Sequence, residues 1–336
     1  MPFDKKEVQN LFNRLGGAML IFLLAFDLLC GGAATIAEEL TKITSSTIIY
    51  VLTELLNALA YIVAYTVPVW FFLAISKGKA VESFGLTLSL AKSDAGLTSA
   101  AMMFLGTATC FAASYVNSLL FPISEEAAEL YFSNDIRGGY VLILMFISTA
   151  IVPAFVEELL FRGVVLSSIR PYSESGAILI SALLFGLMHQ TPFQLLYATA
   201  VGVILGIIRV KTGSIWTGVL VHFCNNFLSV VQTYLLDCYD VYTGNVVYTI
   251  ITLSISAVGF VLGGALYTKK QREEKGKNIA TIGFFRNDRN IFKKMSLQVE
   301  NKMIYRAFFS PTMIIFIILC GFSMLSTAIL LVGVPV

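Results

Sequence analysis

Residues 140–163 read Y-V-L-I-L-M-F-I-S-T-A-I-V-P-A-F-V-E-E-L-L-F-R-G. No charge occurs from Tyr140 to Val156, and a helix needs about 20 apolar residues to cross a bilayer. Glu157, Glu158 and Arg162 then follow within the same helical stretch. A charged side chain at such depth costs about 3 kcal/mol on insertion scales, so those that are kept face a cavity, pair with one another or do chemistry. This stretch sets the fold class, an all-α polytopic membrane protein. It also marks one helix as the carrier of the chemistry.

Spacing separates the two acids. Consecutive helical residues point about 100° apart, so Glu157 and Glu158 face different ways. Glu158 and Arg162 are four apart with the acid first, the favourable order for an ion pair. Glu158 is thereby assigned to neutralising Arg162. Glu157 has no such neighbour and is the candidate general base. Pro153, four residues before Glu157, predicts a kink in the helix just above the site.

Composition agrees with a membrane protein. Of 336 residues, 57% are hydrophobic and 13% charged, against about 25% charged in soluble domains. Mean hydropathy is +0.80. The five cysteines, Cys30, Cys110, Cys224, Cys238 and Cys320, show no metal-binding spacing. No disulfide, iron–sulfur or structural zinc site is expected. Lys5, Lys6 and Arg14 precede an apolar run from Ala18, as in a signal peptide. Asp27 and the lack of a small-residue cleavage site argue for a retained first span.

Nine spans, with eight as the lower bound, are placed near 16–36, 48–75, 97–121, 140–169, 177–190, 193–209, 214–236, 246–268 and 311–334. The fifth and sixth are short and form a tight or partly re-entrant hairpin around Gln190-Thr191-Pro192. Ser310-Pro311 starts the last span. Three regions follow: an N-terminal three-helix region 1–139, a core 140–236, and C-terminal helices 237–336 with a basic loop 269–306. Lys5, Lys6, Arg14, Lys77, Lys79, Lys92, Arg170, Arg209, Lys211 and the loop 269–306 then share one side. By the positive-inside rule that side, with the N-terminus, is cytoplasmic. Glu38, Glu39, Glu125, Glu126, Glu129, Asp135, Asp237 and Asp240 fall opposite. The basic loop reads as a positive-inside segment with an interfacial helix, not as a nucleic-acid site. Gly202-x-x-x-Gly206 and Gly259-x-x-x-Gly263 permit close helix contact.

The chain has two histidines. His189 ends the fifth span, four residues after Phe185, which can wall the site against water. His222 lies in the seventh span, four residues before Asn226 and on the same helix face. Glu157, His189, His222 and Asn226 can thus converge from three helices. Such a set can activate water against a carbonyl. Glu157 takes the proton with His189 helping to hold the water, and His222 and Asn226 donate to the oxyanion.

E-E-L-L-F-R-G, F-G-L-M-H and H-F-C-N-N resemble, in order, the three motifs of the CPBP intramembrane proteases. That family includes type II CAAX prenyl proteases and bacteriocin-processing or immunity proteins, also called Abi. The resemblance covers about residues 140–236. It implies that Glu157 is the catalytic base, that Glu158 and Arg162 support the site, and that His189, His222 and Asn226 complete it. It further implies a peptide or membrane-protein substrate in the lipid bilayer, and a multi-pass protein of a bacterial plasma membrane. The family has been described both as metalloproteases and as glutamate-dependent hydrolases. Glu157, His189 and His222 are the candidate zinc ligands, but a metal-independent glutamate mechanism is favoured, with no cofactor. Two other functions fit the fold: a non-enzymatic immunity or scaffold protein, and a proton-coupled transporter. The transporter predicts paired half-sequences or broken helices in corresponding positions, and the sequence shows neither.

Overall fold

The structure, a computed structural model, describes residues 4–43, 47–76, 95–120, 139–276 and 299–332. Among these residues every regular element is a helix. The helices are α1 (Lys5–Ile43), α2 (Thr47–Ile75), α3 (Ala95–Leu120), α4 (residues 139–169), α5 (Glu174–Leu187), α6 (Pro192–Thr212), α7 (Ile215–Cys238), α8 (Val241–Gly276), α9 (Val299–Phe308) and α10 (Pro311–Val332). Seven have the length and apolar composition to cross a membrane, and shorter apolar helices occupy Phe104–Ala113 and Glu174–Leu187. These occupy the nine positions read from the sequence. Leu28, Trp70, Tyr242, Val261 and Phe322 are exposed on the outside, as side chains bathed in lipid should be. The acids at 125–135, the lysines at 77–92 and loop residues 277–298 lie outside the described residues.

Helix boundaries follow local chemistry. Asp4 Oδ1 accepts from the Lys6 N–H at 2.9 Å and starts α1. Ser173 Oγ accepts from Gly176 N–H at 3.0 Å and caps α5. Gly213 takes φ +72° to end α6, and Ser214 caps α7 in the next residue. Asp240 Oδ1 accepts from Thr243 N–H at 3.0 Å at the start of α8. Hydrogen bonds from the Thr243 side chain and backbone hold the Asp240 carboxyl below its ordinary range. α8 runs on to Gly276, so the first part of the expected basic loop is helical. A hydrophilic sequence ends the span there without ending the helix. α9 supplies the helix expected within the rest of that loop and buries Ile304, Ala307 and Phe308.

Packing brings α4 to the centre. α2 lies against one side of it and α7 against another, and α5 and α6 form a tight hairpin beside it. The hairpin turns at Gln190, which adopts φ 55°. Both glycine pairs mark close contacts. A Cβ on Gly202 would stand 2.8 Å from Ala182 Cα, and one on Gly259 would stand 2.6 Å from Phe104 Cβ. α10 closes on α1, where Thr312 Oγ1 donates to Asn13 O at 3.0 Å. At that same end Tyr172 Oη donates to Glu7 Oε1 at 3.1 Å, and Arg170 reaches Val210 O at 3.4 Å. Lys5, Lys6, Arg14, Arg170, Arg209 and Lys211 are therefore gathered at one end of the bundle.

Candidate active site

α4 is not a uniform α-helix. Phe146–Ile151 and Leu159–Leu166 are π-helical, and the α-helical segment Val152–Glu158 lies between them. Pro153 takes the first turn of that segment. It has no N–H to donate backwards and its ring crowds the preceding turn, which the wide π turn accommodates. Where the sequence predicts a kink, the helix carries π turns on either side of the segment that holds Pro153. Glu157 and Glu158 end the α-segment and are buried.

Glu158 Oε1 lies 2.7 Å from Arg162 Nη1, with both side chains fully buried. Arg162 Nη2 donates to Gly202 O at 3.2 Å, and its guanidinium carbon sits 4.6 Å from the centre of the Phe185 ring. Arg162 thus meets a carboxylate, a carbonyl and an aromatic face at once. Gly218 makes room for this arrangement. A Cβ there would fall 2.7 Å from Glu158 Oε2. Because Arg162 holds that carboxylate, it cannot swing aside freely. Gly218→Ala is expected to cost about 1–3 kcal/mol, the range for overpacking, and to lower the melting temperature in detergent. An unchanged melting temperature would show that the carboxylate relaxes.

His222, on α7, stands between the two acids. Its Nε2 is 3.7 Å from Glu157 Oε2 and its Nδ1 is 3.4 Å from Glu158 Oε1. His189 lies just beyond the end of α5, with Nδ1 2.8 Å from Phe185 O. A carbonyl cannot donate, so the proton sits on Nδ1 and Nε2 is left for other partners. The Phe185 ring meets both imidazoles edge-on, with centroids 5.1 Å from His189 and 5.7 Å from His222. Glu157, His189, His222 and Phe185 are therefore neighbours. Asn226 is tied to them through the shared helix α7; its Oδ1 accepts from Asn225 Nδ2 at 3.3 Å. Asn225 Oδ1 accepts in turn from Tyr197 Oη at 2.8 Å. With its oxygen occupied, the Asn226 amide has its Nδ2 hydrogens to offer.

Two features are absent from the sequence reading. Tyr61, on α2, donates its hydroxyl to Glu157 Oε1, so the acid without a local partner has a distant one. Tyr197 and Asn225 form the second. Buried tyrosine hydroxyls require partners, and Tyr61 and Tyr65, four apart in an apolar span, carried that signal. For a metal, the donor set is incomplete. Glu157 Oε2 and His222 Nε2 are close enough to share an ion, but among the described residues no three His, Cys, Asp or Glu side chains are gathered to hold one.

Neither curated proteins nor solved structures gave a match to the chain. Residues 139–228 match the family model described as Rce1-like, type II CAAX prenyl endopeptidase Rce1-like. The matched stretch runs from α4 through most of α7 and contains both glutamates, Arg162, both histidines and Asn226. Over these residues the chain is similar to that family, and the match supports a domain of the CPBP intramembrane protease type.

Proposed function

We propose that the protein is an intramembrane endopeptidase in which Glu157 activates water against a peptide bond. The observation that carries this reading is the pairing of Glu157 Oε2 with His222. Oε2 is buried and meets no hydrogen-bond donor among the described residues, and His222 Nε2 stands 3.7 Å away. Glu158 is occupied by Arg162 at 2.7 Å, so the basic oxygen available is on Glu157.

Glu157 Oε2 takes a proton from water, and the water oxygen bonds to the carbonyl carbon. His222 has a carboxylate oxygen near each ring nitrogen, at 3.7 and 3.4 Å. Its Nε2–H and the Asn226 amide then donate to the developing oxyanion. His189 Nε2 helps to hold the water. Collapse of the intermediate breaks the C–N bond, and Glu157 returns the proton to the leaving amine. The products are a carboxylic acid and an amine, which ionise to carboxylate and ammonium in water, and the enzyme is unchanged.

The substrate class proposed is a membrane-associated peptide, either lipidated or leader-bearing. The basic end of the bundle, with the N-terminus, is assigned to the cytoplasm by the positive-inside rule. The test is a comparison of processed peptides in membranes carrying the intact chain or Glu157→Gln. Identical peptide patterns would overturn the reading. The mechanism is metal-independent, so thorough chelation should leave the processing rate unchanged. Loss of activity on chelation, restored by zinc, would reverse that part.

A further inference from the structure

Tyr61 lies on α2, outside the stretch that matches the protease family. Its hydroxyl nonetheless donates to the proposed base, at Glu157 Oε1. Tyr65, one turn further on, stacks on it with ring centroids 4.6 Å apart and the rings tilted by 29°. The two hydroxyl oxygens are 3.2 Å apart. Phe22 and Phe26 of α1 meet these rings edge-on, with Phe22 4.8 Å from Tyr65 and Phe26 6.0 Å from Tyr61. The tyrosine pair is thus clamped between α1 and α4.

A phenol has one hydrogen to give. When Tyr61 gives it to Glu157, the Tyr61 oxygen is free to accept from Tyr65. Tyr65 Oη also lies 3.0 Å from Met188 Sδ. A thioether is the weaker acceptor, so Tyr65 is better directed at Tyr61. The result is a relay in one direction, Tyr65 to Tyr61 to Glu157 Oε1. The other carboxylate oxygen, Oε2, is left facing His222.

We propose that Tyr61, backed by Tyr65, is a positioning residue for the hydrolysis: by holding Oε1 it reserves Oε2 of Glu157 for the water. This rests on the reading of Glu157 as the base. The terminal torsion of a glutamate is broad and nearly two-fold. Without a fixed donor either oxygen can rotate toward His222, and the distance to the water is no longer defined. The bundle formed by α4 to α7 is therefore an incomplete site, and α2 completes it.

The experiment uses the full chain in lipid vesicles, with Tyr61→Phe, Tyr65→Phe and Glu157→Gln beside it. The probe is a synthetic peptide spanning a cut made in wild-type membranes and absent with Glu157→Gln. Tyr61→Phe is expected to lower kcat by about 10- to 100-fold, the scale of small misplacements at a reacting centre, with KM within about twofold. Tyr65→Phe should lower kcat several-fold. A packing role alone would instead lower the melting temperature and leave kcat per folded molecule intact, and that result would overturn the proposal. Infrared difference spectra give a readout that does not depend on turnover. The carboxylate stretch identified by Glu157→Gln should shift in Tyr61→Phe, and an unmoved band also overturns the proposal. If Glu157→Gln still cuts every peptide, the catalytic reading fails, whereas a shifted band would still place Tyr61 on the carboxylate. If Tyr61→Phe does not fold, Tyr65→Phe carries the kinetic comparison, and unchanged kcat there counts against the relay.

Discussion

Glu157→Gln is expected to give a protein that inserts, folds and accumulates as the intact chain does, and that no longer processes its substrate. Glutamine matches glutamate in shape. Its carbonyl oxygen can still accept from Tyr61, so the contact between α2 and α4 survives. What is lost is a basic oxygen beside His222. Removing a positioned general base costs about 10²- to 10⁴-fold in rate. Glu158 cannot take over the role. It is fully buried, tied to Arg162 at 2.7 Å, and faces the opposite nitrogen of His222. The measurement is single-turnover cleavage of the synthetic peptide, normalised to folded protein. A loss below tenfold would mean that another group activates the water.

Arg162→Met is expected to produce the largest loss of stability of any single substitution around the site. The guanidinium is fully buried and is the ion-pair partner of Glu158. Methionine fills much of its volume but leaves a buried carboxylate with no counter-charge. Breaking such a pair from one side costs about 3–5 kcal/mol. The same argument predicts non-additivity. Glu158→Gln in the Arg162→Met background removes the stranded charge and should recover a large part of the loss. Thermal unfolding in detergent of the two single variants and the double variant gives the comparison. If the double variant is as unstable as the sum of the singles, the pair is not what holds this part of the bundle.

The sequence shows the spans well because crossing a bilayer is a composition problem. A run such as Tyr140–Val156 leaves the backbone few alternatives to a helix. The start at Ser310-Pro311 and the glycine-lined contacts were legible for a similar reason, since each depends on residues within one or two turns. The ion pair between Glu158 and Arg162 also belongs to this local class. Other features needed the neighbouring helices. Tyr61 reaches Glu157 across 96 residues, and nothing in α2 says which acid its hydroxyl will meet. Gly218 looks like an ordinary small residue until the Glu158 carboxylate is placed against it. The π turns of α4 record how that helix absorbs Pro153 and its buried charges, a compromise that helical periodicity does not contain.

The contact between α1 and α10 has a consequence for how the molecule can be divided. Gly16 sits so close to α10 that a Cβ on it would stand 2.6 Å from Met313 N, so the two backbones nearly touch. Phe308 of α9 meets Phe12 of α1 edge-on with centroids 6.2 Å apart. The first and last described helices thus pack against each other along a close seam. A polypeptide carrying α9 and α10, made separately from the rest, has a shaped groove to return to. Co-expression of the two fragments should reassemble a working protein, whereas the larger fragment alone would keep α1 on α2 but leave bare the face that α9 and α10 cover.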